Sequence, residues 1–380
     1  VLVVITWRSG TVVSLGRAWA GAVELVVRTD DGDLRSLAYP AMVGDPAVGE
    51  RVVLNTTALG AGLGTGGYAL VVARPDALPH DAPPRPGHLV KARYTPLQAM
   101  VLGVDEQQSP DHELLRDADD LHGMPVVVTD LHSAIPAIVA GARHAAEQVG
   151  RPAPRVAYVM TDGGALPAWF SRTVAGLREA GWLDSCITVG QAFGGDLEAV
   201  TVHTGLLAAH LVRRADLAVV AQGPGNLGTG TRWGFSGVAA GEAVNATAVL
   251  GGRPVAALRV SGADPRPRHR GVSHHALTAY ARVALQPADV VVPVGSTPRA
   301  ATQELRTTIR DQAAELCEPR GRHRLVEVEA TTALLEALAC CPVPLRTMGR
   351  SLAEDPESFI AAGVAGVHAA RLLGRAHAPS

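Results

Sequence analysis

From residue 88 onward, short apolar runs recur along the chain and alternate with stretches of helical periodicity. The runs are residues 100–104, 126–128, 156–160, 187–189, 217–221, 255–260, 290–294 and 325–328. Helical stretches include 134–148, 167–180, 197–213, 242–250 and 356–373. A strand that is apolar at nearly every position is buried on both faces, which requires helices on both sides of the sheet. The pattern therefore predicts an α/β fold with a doubly wound, mainly parallel sheet.

Residues 1–74 obey a different rule. Apolar centres at Val12-Val13, 23–27, 52–54 and 68–72 alternate with turns, and Asp30-Asp31-Gly32 is a hairpin signal. A small β-rich, barrel-like domain is expected there. Four of the twelve residues from Asp76 to Gly87 are proline, so residues 75–87 read as a linker, with the α/β domain at 88–380.

Composition removes several function classes. A net charge of −2 gives no basic surface for nucleic acid. No apolar run approaches the roughly 20 residues that span a bilayer. The four cysteines (Cys186, Cys317, Cys340 and Cys341) lack CxxC spacing, so neither a disulfide framework nor a cysteine zinc site is indicated. A cytoplasmic protein is expected. Lys91 is the only lysine among 34 basic residues. No Gly-Lys-Ser/Thr sequence exists, which excludes a Walker A loop. A lone compact ammonium in an arginine-rich chain makes Lys91 a candidate substrate contact.

In a parallel sheet, ligands bind beyond the carboxyl ends of the strands. Six successive strand ends carry polar groups. They are Thr129-Asp130-Leu131-His132-Ser133, Thr161-Asp162-Gly163-Gly164, the segment from Gly190 to Glu198 with Asp196, the segment from Gln222 to Thr231, the segment from Asp264 to His275, and Gly295-Ser296-Thr297. Turns supply glycine and aspartate readily, but not His132, His274 and His275 at one edge. The fifth segment places a carboxylate, three arginines, three histidines and a serine between an apolar run and a helical one. Such a segment suits a site that holds an anion and moves protons, or that binds a metal.

The loop with Gly223, Gly225 and Gly228 matches GxGxxG formally. Gly230 and Gly234 keep it irregular, and no acid follows at dinucleotide spacing. A second match, Gly62, Gly64 and Gly67, precedes a strand-like run and is rejected. No GxSxG elbow is present, because Gly234-Phe235-Ser236-Gly237 breaks the spacing. Gly223, Gly225, Gly228, Thr229 and Thr231 are expected to cradle an anion with backbone N–H groups. Arg266, Arg268 and Arg270 are the expected charge clamp. Asp130, His132, Asp162, Asp196, Asp264, His274 and His275 are the candidate catalytic residues. A divalent metal would draw on Asp130, His132, Asp264 and His274; Asp130 and His132 share a side if the strand extends that far.

Four segments also resemble an uncharacterised bacterial family, domain of unknown function 3866: 87–98, 158–167, 192–196 and 264–275. The resemblance covers nearly the whole chain, the β-rich N-terminus included, and implies fold and extent but no reaction. In that family the phenylalanine loop usually reads Gly-His-Ala-Phe-Gly-Gly-Asp. Gln191 replaces the histidine here, which argues that the histidine is not essential.

The expected function is an enzyme acting on a small phosphate-bearing or otherwise anionic substrate by hydrolysis or group transfer. Two alternatives stay open: a nicotinamide-dependent oxidoreductase, and a non-catalytic anion or nucleotide sensor. A homo-oligomer is compatible with either, and no nucleic-acid or membrane partner is expected.

Overall fold

In the computed structural model, which describes residues 4–81, 83–295, 303–317 and 322–373, the N-terminal β-rich segment closes into a barrel. Its strands are β1 (Trp7–Trp19), β2 (Ala22–Thr29), β3 (Gly32–Ala38), β4 (Arg51–Asn55) and β5 (Ala69–Ala73), ordered β1-β2-β3-β5-β4. The Asp30-Asp31-Gly32 signal is the β2–β3 hairpin, with Thr29 paired to Gly32. Two register shifts in β1 bend it so that it pairs with β2 and also closes onto β4. Val12, Leu25, Val27, Val52, Leu54 and Val71 fill a core of its own. A further hairpin, β6 (Leu89–Lys91) with β7 (Ala99–Val101), belongs to this compact unit, which runs Val1–Val101. The run at 100–104, read from sequence as a strand of the large sheet, thus contributes its start to a hairpin instead.

The second unit, Leu102–Ser380, is built on eight parallel strands. In chain order they are β8 (Pro125–Val128), β9 (Val156–Thr161), β10 (Ser185–Thr188), β11 (Leu197–Glu198), β12 (Leu217–Gln222), β13 (Arg253–Ala257), then β16 (Asp289–Val294) and β17 (Arg324–Glu329). Between β13 and β16 a two-stranded pair, β14 (Val260–Ser261) and β15 (Gly271–Val272), stands apart from the sheet. The order across the sheet is β11-β10-β9-β12-β8-β13-β16-β17. Adjacent residues of β8 face opposite cores. Val126 and Val128 pack with Leu206, Val244 and Tyr280, while Val127 packs with Ile138, Phe359 and Ile360. This two-sided burial is what the uninterrupted apolar runs encode.

Two readings are corrected. The helix expected to begin at residue 197 begins at Val202, because Leu197 and Glu198 pair with Ile187 and Thr188 as an edge strand. The run 255–260 is two pieces, β13 and β14, separated by Leu258 and Arg259. Of Gly295-Ser296-Thr297, only Gly295 falls within the described residues. No helix among the described residues is long and apolar enough to cross a membrane.

The helices Ile135–Gln148 and Pro356–Leu373 cross backbone to backbone. A Cβ on Gly366 would stand 1.9 Å from the Ile138 carbonyl oxygen, and one on Gly141 would stand 2.0 Å from that of Gly363. Only glycine permits this approach. Gly366→Val is expected to destabilise the protein by about 3 kcal/mol or more through overpacking against main chain, read as a lower denaturant midpoint. An unchanged midpoint would show that the two helices separate freely.

Candidate functional site

The chain leaves β8 for β9 on one side, returns through β12, and crosses β8 to reach β13. The loops after β12, β8 and β13 therefore meet over the middle of the sheet, at a topological switch point where parallel sheets bind ligands.

Asp130, two residues past β8, is at the centre. It is 2% exposed, and neither carboxylate oxygen has a hydrogen-bond partner among the described residues. Its Oδ2 lies 3.7 Å from Arg259 Nη1 and 3.7 Å from His275 Nδ1. Arg259 Nη1 in turn stands 3.1 Å from His275 Nδ1 and donates to it when that nitrogen carries no proton. Buried charge without bonded partners is costly, so a carboxylate left this way is a mark of function more than of stability.

The surroundings hold these groups in place. The Gln222 amide donates to the Asp130 carbonyl oxygen at 2.9 Å, and the Tyr280 hydroxyl donates to that of Val128 at 2.8 Å. A Cβ on residue 237 would meet Asp130 Cβ at 2.8 Å, so the incoming loop must present glycine there. Phe235 stacks on the His275 ring at 3.9 Å with 1° between the planes. A cavity of about 10 Å³, the size of one water, adjoins Asp130 and is lined also by Thr129, Thr161, Gln222 and Ser236.

Three imidazoles complete the cluster. His274 lies 4.3 Å from His275 and 4.9 Å from His269 between ring centres, and His269 lies 5.1 Å from His275. Ser273 Oγ meets His269 Nδ1 at 2.8 Å and accepts the His275 backbone N–H. Burial, reinforced by the charge of Arg259 and Arg266, holds His269 down to about 3. Burial, with His275, Arg268 and Arg259, holds His274 down to about 4. Both rings are neutral at pH 7.

Within the second unit, His132, Asp264, Asp196 and Asp162 are bonded to groups outside this cluster. His132 does not share a side with Asp130, because β8 ends at Val128 and residues His132–Ala134 form a 3-10 turn. Its ring is hydrogen-bonded to the Tyr158 hydroxyl at 3.1 Å and Ser171 Oγ at 2.7 Å, on the opposite face of the sheet. Asp264 is buried between Arg266 (2.8 Å) and Arg350 (3.2 Å), which hold its carboxyl far below the usual range, the Arg266 hydrogen bond most of all. Arg266 is thereby committed to Asp264, while Arg268 and Arg270 stand exposed. Asp196 accepts the Cys186 N–H at 2.7 Å and pairs with Arg178 at 2.9 Å, at the far edge of the sheet. Asp162 is exposed and accepts the Gln191 N–H at 2.9 Å. Lys91 is buried in β6 of the first unit.

The glycine-rich loop is a self-contained arm rather than the mouth of a helix. Thr229 N–H bonds to the Gly234 oxygen at 2.7 Å, Ser236 N–H to that of Leu227 at 2.9 Å, and Thr229 and Thr231 hydroxyls meet at 3.1 Å. Gly228 bridges Phe235, Gly225 and Gly230 adopt positive φ, and Gly223 packs on the Ala165 carbonyl. The first α-helix after it starts only at Ala239. The N–H groups of Leu227, Thr229 and Ser236 are bonded inside the loop, which also brings Phe235 and Gly237 to the cluster. Arg259, His269 and Phe235 are members that sequence reasoning did not single out. The legible signal for Arg259 was an arginine inside an apolar run.

His132 offers a test of the cluster's boundary. An ordinary histidine titrates near 6.5, and burial holds His132 down to about 4. The unfolded chain therefore binds the proton more tightly. The stability contributed by the neutral ring is present above pH 6.5 and is lost as pH falls towards and through 4. The stability advantage of the wild type over His132→Gln should shrink by about 3 kcal/mol across that window, measured by urea unfolding. A pH-independent difference would mean that the ring titrates normally.

A family model described as "Protein of unknown function (DUF3866)" matches residues 35–366. No curated protein matches the chain.

Proposed function

The chain belongs to the DUF3866 family of proteins of unknown function, and from its site we propose an enzyme that hydrolyses, or transfers a group from, a small anionic substrate. The observation that carries this reading is the buried Asp130 carboxylate, without a hydrogen-bond partner among the described residues, beside the Arg259 guanidinium and the His275 imidazole. Arg259 supplies N–H groups and positive charge for a phosphate or carboxylate oxygen. Asp130 accepts the proton of the attacking water or hydroxyl, which the neighbouring cavity has room to seat. His275, clamped by Phe235, fixes the carboxylate's orientation. In hydrolysis the water oxygen bonds to phosphorus or the acyl carbon, the leaving group departs with its electron pair, and its proton comes from solvent.

The test is a screen of the purified protein against phosphate monoesters, nucleotides and carboxylic esters, following phosphate, alcohol or acid release. Turnover that collapses in Asp130→Asn supports the reading. Binding of these anions without turnover would make the chain a sensor, and co-purification of a nicotinamide dinucleotide would make it an oxidoreductase.

A further inference from the structure

We propose that His269, His274 and His275 bind one divalent transition-metal ion of the zinc class. One ligand nitrogen of each ring lies within 4.8 Å of those of the other two. Tetrahedral zinc with nitrogen ligands at about 2.0–2.1 Å sets its ligand atoms roughly 3.4 Å apart. Small side-chain rotations close that difference.

The hydrogen bonding sorts the nitrogens. His269 Nδ1 is engaged by Ser273 and His275 Nδ1 faces Arg259 and Asp130, so Nε2 of these two rings is assigned to the ion. His274 Nε2 is buried with no hydrogen-bond partner among the described residues. Three imidazole nitrogens select zinc, cobalt or nickel over magnesium or calcium, which prefer oxygen. Among the described residues the cluster leaves a buried nitrogen and a buried carboxylate both without a hydrogen-bond partner.

An ion answers both deficits. Coordination through Nε2 puts the His275 proton on Nδ1, which exchanges the Arg259 hydrogen bond for a donor turned towards the Asp130 carboxylate 3.7 Å away. This is the carboxylate–histidine–metal arrangement that orients ligands in known metal sites. Asp130 also offsets the repulsion between the ion and Arg259. Three protein ligands leave a coordination position open for water, as in catalytic rather than structural zinc sites. The role of that water rests on the proposed function; the binding of the ion does not.

The experiment uses untagged full-length protein, stripped with chelator and titrated with Zn²⁺ or Co²⁺ alone, with calorimetry and cobalt absorption as readouts. One equivalent should bind, with a tetrahedral cobalt spectrum. His269→Ala and His274→Ala should weaken binding more than about 100-fold, and Asp130→Asn by about 10–100-fold. His203→Ala, an exposed position outside the cluster, should bind as the wild type does. Circular dichroism checks each fold, and His274→Gln replaces any alanine variant that fails to fold. A folded wild type that takes up neither ion, or cluster variants that bind like the wild type, would overturn the site. Metal bound without turnover would leave this inference standing and remove the enzyme; turnover without metal would do the reverse.

Discussion

Asp130→Asn is expected to lower kcat/KM for the best anionic substrate by about 10²–10⁴-fold, the usual contribution of a positioned general base. The amide keeps the shape of the carboxylate, and neither oxygen of the native group is hydrogen-bonded among the described residues, so few contacts are lost. The fold should persist, because the loop is held by main chain: the Gln222 amide on the Asp130 carbonyl and Gly237 beneath it. Loss should fall mainly on kcat, since a base acts in the transition state. Arg259→Lys should instead raise KM, because an ammonium cannot present the paired donors of a guanidinium to an anion. The pair is read from steady-state kinetics on one substrate at saturating metal. If Asp130→Asn retains wild-type kcat, the proton acceptor lies elsewhere and the orphaned carboxylate needs another explanation.

The sequence was informative where burial is two-sided. The runs at 126–128, 156–160, 217–221 and 290–294 all became parallel strands, because only strands covered on both faces dispense with polar residues. Leu197 and Glu198 escaped notice because a two-residue edge strand has no periodicity to read. The site was legible as an edge and not as a set of partners. Asp130 and His132 are two residues apart, yet the strand stops at Val128, so alternation no longer governs them. Asp264 looked like an acid for catalysis; its second arginine, Arg350, lies 86 residues away in sequence, beyond any local pattern. Arg266, Arg268 and Arg270 read alike as a clamp, and only the fold commits Arg266 to Asp264. Arg259 was concealed for the opposite reason, as an apolar run conveys burial and says nothing of the one guanidinium buried with it.

Removal of Arg259 should show how the site's charges are balanced. Its side chain is 8% exposed and that of Asp130 1%, with 3.7 Å between the nearest atoms. At that separation, and at the effective dielectric of protein sites, the attraction is of order 4 kcal/mol. Arg259→Met leaves a buried carboxylate with no cation and should destabilise the fold by about 3–5 kcal/mol. Asp130→Asn should cost less, because the amide keeps the shape of the carboxylate and an oxygen on the side of the guanidinium. Combining the two removes both charges from the interior and should recover most of the loss, since a buried pair replaced as a unit is often neutral for stability. The double-mutant cycle, read from urea unfolding at constant pH, should therefore give a coupling of about 2 kcal/mol or more. All three variants should lose at least about 10²-fold in kcat/KM, which separates the pair's catalytic use from its near-zero net stability. If the double variant is as unstable as Arg259→Met alone, the guanidinium stabilises by packing, and Asp130 is not the group it was placed to balance.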